Sequence, residues 1–386
     1  MPTDNPDMRA YLDNSATTRP SEAAIRAMEA CMREDYFNPS SVYREAVAVF
    51  RRVREAREGL LNAVGGAGCA LVFTSGGTEA NNLAILGAVT RMRGPQTVAV
   101  SAVEHPSVRA AFDQLRQLGH DVRVIGVDAH GEPDWAALER ALEDGASLVS
   151  MMQVNNETGA LLDARRLHDV VRGRALIHVD GVQGFLRVPF DMRHADLYSL
   201  SGHKIHGPKG IGALIVKKGV KLNPRQLGGG QEGGLRSGTE NTPGIAGLSA
   251  AAGALIGLGP DMPARLMARK LRLVEGIRRA VPDMIVNGPD PAQAAPHIVN
   301  IGFPRVRGEV MLHALEGEGI CVSTGSACSS KKLKVSAVLT AMGIPAERAE
   351  WAVRFSLSPC TTDEEIDYAA EKAGILYDQL KRYQRR

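Results

Sequence analysis

The sequence predicts an α/β protein: a mostly parallel sheet covered on both faces, with a second, smaller α/β domain beside it. Three observations carry that expectation. From about residue 65, short apolar β-branched runs alternate with amphipathic helical stretches, which is the pattern of βαβ units. A glycine-dense stretch at 228–244 ends the alternation, and a new helical periodicity starts behind it. At 386 residues the chain is roughly two to three times a typical domain, long enough for two cores.

In chain order, strands are expected at 70–75, 97–101, 122–127, 148–154, 176–179 and 197–200. Helices are expected between several of them, at 79–91, 106–118, 134–142 and 164–171. The second region reads as a long helical stretch over 246–280, a strand at 297–303 and a charged amphipathic helix at 363–386. No internal repeat and no low-complexity tract interrupts this order.

Composition narrows the function classes. There are 46 Lys and Arg against 43 Asp and Glu, a formal charge of +3, so nothing demands nucleic acid or an anionic membrane as partner. The run 244–259 is rich in Gly and Ala and shorter than the ~20 apolar residues that span a bilayer. The first ten residues hold Asp4 and Asp7 and no apolar signal core. Five cysteines without a C-x-x-C argue against disulfide scaffolds and cysteine-ligated zinc, and fit a reduced cytoplasm.

Ligands of α/β sheets sit at the carboxyl ends of strands, so the loops there carry the chemistry. Phe73-Thr74-Ser75-Gly76-Gly77-Thr78-Glu79 joins a strand to a helix, leaving backbone N–H groups for an anion such as phosphate. An ordinary glycine turn with Thr78 near the cap is the other reading. Ser201-Gly202-His203-Lys204 follows another strand and puts an amine where burial and neighbouring cations make a Schiff-base nucleophile. His203 and His206 are spaced i, i+3, yet no acidic or cysteine partner is near, so no metal is expected.

Asp180, at the end of a third strand, is either a turn cap or the carboxylate that keeps a pyridine nitrogen protonated. Asn155 and Asn156 end a fourth. Cys328 lies among small polar residues with Lys331 and Lys332 close behind, a setting that favours a thiolate. Cys69 and Cys321 sit in apolar company and read as small core residues.

Together and in this order, these segments resemble the NifS/IscS-type cysteine desulfurases, pyridoxal-phosphate enzymes of fold type I. The matching pieces run from Tyr11-Leu12-Asp13-Asn14-Ser15 through Asn38-Pro39-Ser40-Ser41, the 74–82 loop, Glu104-His105, Asn155-Asn156-Glu157 and Asp180 to Gln183. They continue with 201–210, Arg236-Ser237-Gly238-Thr239, 323–330 and Val353-Arg354-Phe355-Ser356. The Ser-Gly-Ser-Ala-Cys type of loop is similar to the first group of these enzymes.

The resemblance implies a seven-stranded, mostly parallel sheet in a large domain of residues 16–257. A small domain of 1–15 and 258–386 would carry the cysteine loop, about 322–334. It also implies roles. Lys204 would bind the cofactor aldehyde and shuttle protons, Asp180 pair with the ring nitrogen, and His105 stack on the ring and assist proton transfer. Gln183 and Asn155 would reach the ring hydroxyl. Gly77, Thr78, Ser201 and His203 would hold the phosphate, with Thr239 reaching in from a neighbouring subunit of a homodimer. Arg354 would clamp the carboxylate of L-cysteine, with Asn155 also at the substrate. Cys328 would take the sulfur as a persulfide and hand it to an acceptor protein, for iron–sulfur assembly or for tRNA or cofactor thiolation. During such transfer Cys328 could touch an iron–sulfur cluster, and no resident metal is implied.

Two positions depart from the family pattern: Tyr43 stands where histidine is frequent, and Gly233 where a larger polar or basic residue is common. The sequence, ending at Arg386, is also expected to lack the longer tail with which some relatives dock a scaffold. A selenocysteine lyase, another class V aminotransferase or a non-catalytic relative would share much of this pattern. Cys328 separates the first reading from an aminotransferase, which needs no thiol there.

Overall fold

The structure, a computed structural model, describes residues 9–324 and 335–383. Along the first half lie β1 (Ala10–Tyr11), α1 (Glu22–Glu34), α2 (Arg44–Asn62), β2 (Ala70–Thr74), α3 (Gly77–Val89), β3 (Thr97–Ser101), α4 (Pro106–Gln117) and β4 (Asp121–Ile125). Next come α5 (Trp135–Glu143), β5 (Ala146–Met152), α6 (Ala164–Val171), β6 (Leu176–Asp180), β7 (Leu197–Ser201) and β8 (Gly212–Val216). The remainder holds α7 (Thr242–Ile256), α8 (Met262–Ala280), β9 (Ile285–Val286), β10 (Ile298–Gly302), α9 (Gly308–Gly317) and β11 (Ile320–Cys321). It closes with α10 (Ala337–Ala341), α11 (Ala346–Glu350), β12 (Ala352–Ser356) and α12 (Asp363–Tyr383).

Seven strands form the main sheet in the order β2-β8-β7-β6-β5-β3-β4. The expected strands and helices of this half lie within a few residues of their predicted positions, for a physical reason. Asp134 and Asp163 cap α5 and α6 by accepting from Ala137 N and Arg166 N, and the apolar runs between helices are buried on both faces except in the edge strand β4, which is largely exposed. The seventh strand, β8, lies outside the runs that periodicity marks. It pairs antiparallel with both β2 and β7, so no crossover helix announces it. The expected long helix over 246–280 is two helices, because Gly257, Gly259 and Pro260 interrupt the repeat.

A second core gathers Ala10 and Leu12 with Leu273, Ile277, Val299, Phe303, Phe355 and Ile366. The start of the chain thus packs with its last third: β1 runs parallel to β11, and β12 pairs antiparallel with β10. This arrangement brings Asp13–Ala16 and β12 over the carboxyl edge of the main sheet. Cys69 and Cys321, expected in the core, are only half-buried, and burial still pushes both thiols up from their ordinary range. Gly233 has φ +66, a left-handed backbone that explains why a larger residue does not stand there.

Candidate active site

Strand register alone assembles one wall. Met152 pairs with Asp180 and Asp180 with Ser199, so the carboxyl ends of β5, β6 and β7 meet side by side. Ser201 ends β7, and the single helical turn Gly202–Lys204 follows at once. Above this edge lies a cavity of about 290 Å³, at the small end of the range for ligand sites. Of the sequence-predicted residues, Gly77, Thr78, His105, Asp180, Gln183, Ser201, His203, Lys204 and Arg354 line it.

Lys204 Nζ donates to Ser15 O at 2.5 Å and to Ala16 O at 2.7 Å. Burial, with Arg187 and Arg354 as neighbouring cations, brings its ammonium down to about 7. Near neutral pH a large fraction is therefore the free amine, the form that attacks carbonyls and accepts protons. Arg187 is buried and meets no carboxylate among the described residues. Its guanidinium donates to Gln183 Oε1 at 3.0 Å, while Gln183 Nε2 donates to Ser15 O at 2.9 Å.

Asp180 is fully buried and burial raises its carboxyl, against hydrogen bonds from Val182 N (3.0 Å, to Oδ1) and Asn81 Nδ2 (2.8 Å, to Oδ2). A carboxylate so placed is costly unless a cation or N–H⁺ faces it. His105 caps α4. Pro106 has no N–H, so the first donor of that helix is Ser107 N, and it bonds His105 Nδ1 at 3.2 Å.

The phosphate cradle is built from close approach. A Cβ on Gly77 would lie 2.5 Å from Val182 Cγ2, so only glycine lets the chain pass. No side chain caps α3, and its first N–H groups have no intrahelical acceptor where Gly77 and Thr78 line the cavity. Ser201 and His203 stand on the same wall. Burial, aided by Lys204 and Lys209, lowers His203 to about 4, so it is neutral there.

Across the cavity, Arg354 Nη2 donates to Asp13 Oδ1 at 2.7 Å and Nη1 to Asn156 O at 2.8 Å, while its Nε is buried without a partner. Its backbone pairs with Ser323, which also lines the cavity five residues before Cys328. Ser15 Oγ, Asn81 Oδ1 and Asn156 Oδ1 are likewise buried, unpartnered and at this cavity. Unpartnered buried polar atoms are rare in folded chains, and here they gather around one space.

Three sequence-predicted residues are placed otherwise. Asn155 does not line the cavity: its Oδ1 accepts from Glu157 N and Thr158 N, both at 3.0 Å, and its Nδ2 donates to Val103 O at 3.1 Å. Asn156, the next residue, lines the wall. Thr239 is exposed and stands outside this chain's own cavity, on a segment tied down by Arg236 Nε to Glu79 Oε1 at 3.0 Å. Cys328 lies outside the described residues. Sequence reasoning missed Asn81, Ser107, Asp13, Arg187 and Asn156. Asp13, Asn81 and Asn156 lie in segments already singled out, whereas Ser107 and Arg187 carried no signal.

The chain belongs to the class-V aminotransferase family, whose pattern matches residues 10–369. Its relatives within that family are cysteine desulfurases of the NifS/IscS type. The cysteine desulfurase of Cereibacter sphaeroides is 42% identical over 378 residues, 97% of each chain. Among solved structures, a NifS-like protein superposes with a TM-score of 0.89 at 32% identity, covering 97% of this chain and all of that one. The structure of SspA in complex with cysteine gives a TM-score of 0.79 at 29% identity, covering 92% of this chain and all of that one. Among the described residues no helix is long and apolar enough to cross a membrane.

Proposed function

We propose that this chain removes sulfur from L-cysteine with the help of pyridoxal 5′-phosphate, releasing L-alanine and keeping the sulfur as a persulfide on Cys328. The chain is a cysteine desulfurase. The observation that carries this reading is Lys204, a lysine depressed to about 7 that shares one cavity with a buried Asp180 and the Arg354 guanidinium.

The residues present fit the cofactor. Lys204 supplies the amine for its aldehyde, and the buried Asp180 needs a cation opposite, which a protonated ring nitrogen provides. Gly77, Thr78, Ser201 and His203 offer the phosphate a helix start and polar side chains, and Gln183 and Asn156 offer amides. When bound, pyridoxal phosphate supplies the electron sink that makes loss of an α-proton feasible. The rest falls to the chain. Arg354 holds the substrate carboxylate with guanidinium geometry that lysine lacks. Lys204, as free amine, takes the α-proton and returns it. Ser323 lies on the cavity wall, and five residues of chain reach at most about 17 Å, which supports delivery of the Cys328 thiolate to the substrate sulfur.

The exposed Thr239 segment supports a homodimer in which each chain completes its partner's phosphate site. A sulfur-acceptor protein, in iron–sulfur assembly or in tRNA or cofactor thiolation, completes the cycle. A persistent thiol nucleophile fits a reducing cytoplasm. The test is direct: chain loaded with pyridoxal phosphate, given L-cysteine and a thiol reductant, should form sulfide and alanine in equal amounts. Cys328→Ser should keep the cofactor's visible band and lose sulfide. Full turnover in that variant, or alanine never appearing, would overturn the reading.

A further inference from the structure

His105 faces the cavity, yet one of its ring nitrogens is already spoken for. Nδ1 lies 3.2 Å from Ser107 N and 2.8 Å from Ser107 Oγ. The backbone N–H can only donate, so Nδ1 must hold a lone pair. Behind it, Asn81 Nδ2 donates to Ser107 Oγ at 2.9 Å and to Asp180 Oδ2 at 2.8 Å. The amide cannot be turned over, because its Oδ1 would then face the Asp180 carboxylate oxygen. Having accepted from Asn81, the Ser107 hydroxyl has its own hydrogen for Nδ1. Every hydrogen along this path therefore runs in one direction, from Asn81 through Ser107 to His105.

We propose that Asn81 and Ser107 are positioning residues that lock His105 as its Nε2–H tautomer, so the imidazole meets the cavity as a hydrogen-bond donor and not as a base. A proton on Nδ1 would confront the Ser107 N–H and force the Ser107 hydroxyl to turn its hydrogen away, and a doubly protonated ring would place positive charge at the positive N-terminus of α4. The other charged groups around the ring are Asp180 on β6, Lys204 on the turn after β7, Arg109 on α4 and the adjacent Glu104. Burial and the two cations lower the imidazole and Asp180 opposes them; Glu104, fully buried, has its own carboxyl raised well above the usual range. Taking up the substrate's proton then falls to Lys204 alone. This deepens the desulfurase reading and rests on it for what the donor serves, but the tautomer itself is independent of turnover.

The experiment is ¹⁵N NMR of the histidine rings in cofactor-loaded enzyme, with His105 identified as the signal that vanishes in His105→Gln. The wild type should show a bare Nδ1 and a protonated Nε2 from pH 6 to 9. Ser107→Ala removes one donor, worth about fivefold in the tautomer ratio, and should bring detectable Nδ1–H. Ser107→Thr restores the hydroxyl and should restore the single tautomer. A proton on Nδ1 in the wild type, or equal tautomer ratios in wild type and Ser107→Ala, overturns the proposal. The tautomer is read in the same way whether or not the protein releases sulfide, so failure of the desulfurase reading and failure of the lock remain distinguishable.

Discussion

Lys204 is partly buried at a cavity and Lys270 fully buried, yet their immediate contacts are nearly the same. Each donates to two successive backbone carbonyls: Lys204 to Ser15 and Ala16, and Lys270 to Ala294 (3.4 Å) and Ala295 (2.7 Å). Burial lowers both, to about 7 and about 8. What separates them is company. Lys204 stands in a cavity, at a strand end, with Arg187 and Arg354 on one side and Asp13 and Asp180 on the other. Lys270, on α8, is wholly enclosed and among the described residues has Asp290 as its charged influence. Two similar perturbations thus serve different ends. A lowered lysine becomes a reagent only when space for a ligand and groups of opposite purpose surround it; otherwise the amine is a buried cross-link between carbonyls.

The comparison is most easily broken by substitution at each lysine. Lys204→Ala should lower turnover by at least the 10²–10⁴ typical of a lost proton-transfer group, with the fold intact by circular dichroism. Lys270→Ala should do the reverse, lowering stability by ~2–5 kcal/mol in urea unfolding while kcat/KM stays near wild type. Lys270→Met keeps the volume but leaves two carbonyls without their donor, for about 1–3 kcal/mol. Substantial catalytic loss in a folded Lys270→Met protein would show that burial alone had been misread as structural.

Charge company can be tested on its own. Arg187 is buried without a carboxylate partner among the described residues and is the second cause, after desolvation, of the low Lys204 value. Arg187→Met replaces it by an apolar chain, which buried cations often tolerate. The Lys204 titration in the cofactor-free protein, followed by pH-dependent reaction with an aldehyde, should move to higher pH. An unchanged midpoint would remove Arg187 from the causes and leave desolvation and Arg354.

These contrasts mark what the sequence could and could not reveal. Lys204 and Asp180 were legible because each ends an apolar run, and strand ends in an α/β sheet face the ligand edge. Gly77 was legible as part of a glycine turn opening a helix. Lys270 was invisible, since on α8 it reads as one more basic residue among Arg269, Arg272 and their neighbours. Asn81 and Ser107 were hidden in the same way, as polar residues of helices whose burial depends on packing 26 positions apart. Asn155 and Asn156 are adjacent, and composition cannot say which one turns inward; the turn closed by Glu157 and Thr158 decides it. The antiparallel β8 escaped because no crossover helix joins β7 to it.

The smallest expected effect concerns pH and stability. Lys270 is near 8 in the folded chain and about 10.4 when unfolded, so the folded state binds fewer protons between those values. Stability therefore rises with pH in that window: above pH 8 the unfolded chain holds a proton that the folded one has released, and by linkage the free energy of unfolding climbs with pH there. Below pH 8 both states hold the proton and the slope vanishes. Between pH 8 and 9 the contribution is about 1 kcal/mol. Other groups also titrate there, so the quantity to measure is the difference between wild type and Lys270→Met in urea unfolding at the two pH values. The wild type should gain on the variant by that amount as pH rises. Parallel slopes would mean that Lys270 keeps its proton in the folded chain, and the likeness between the two lysines would end at their carbonyl contacts.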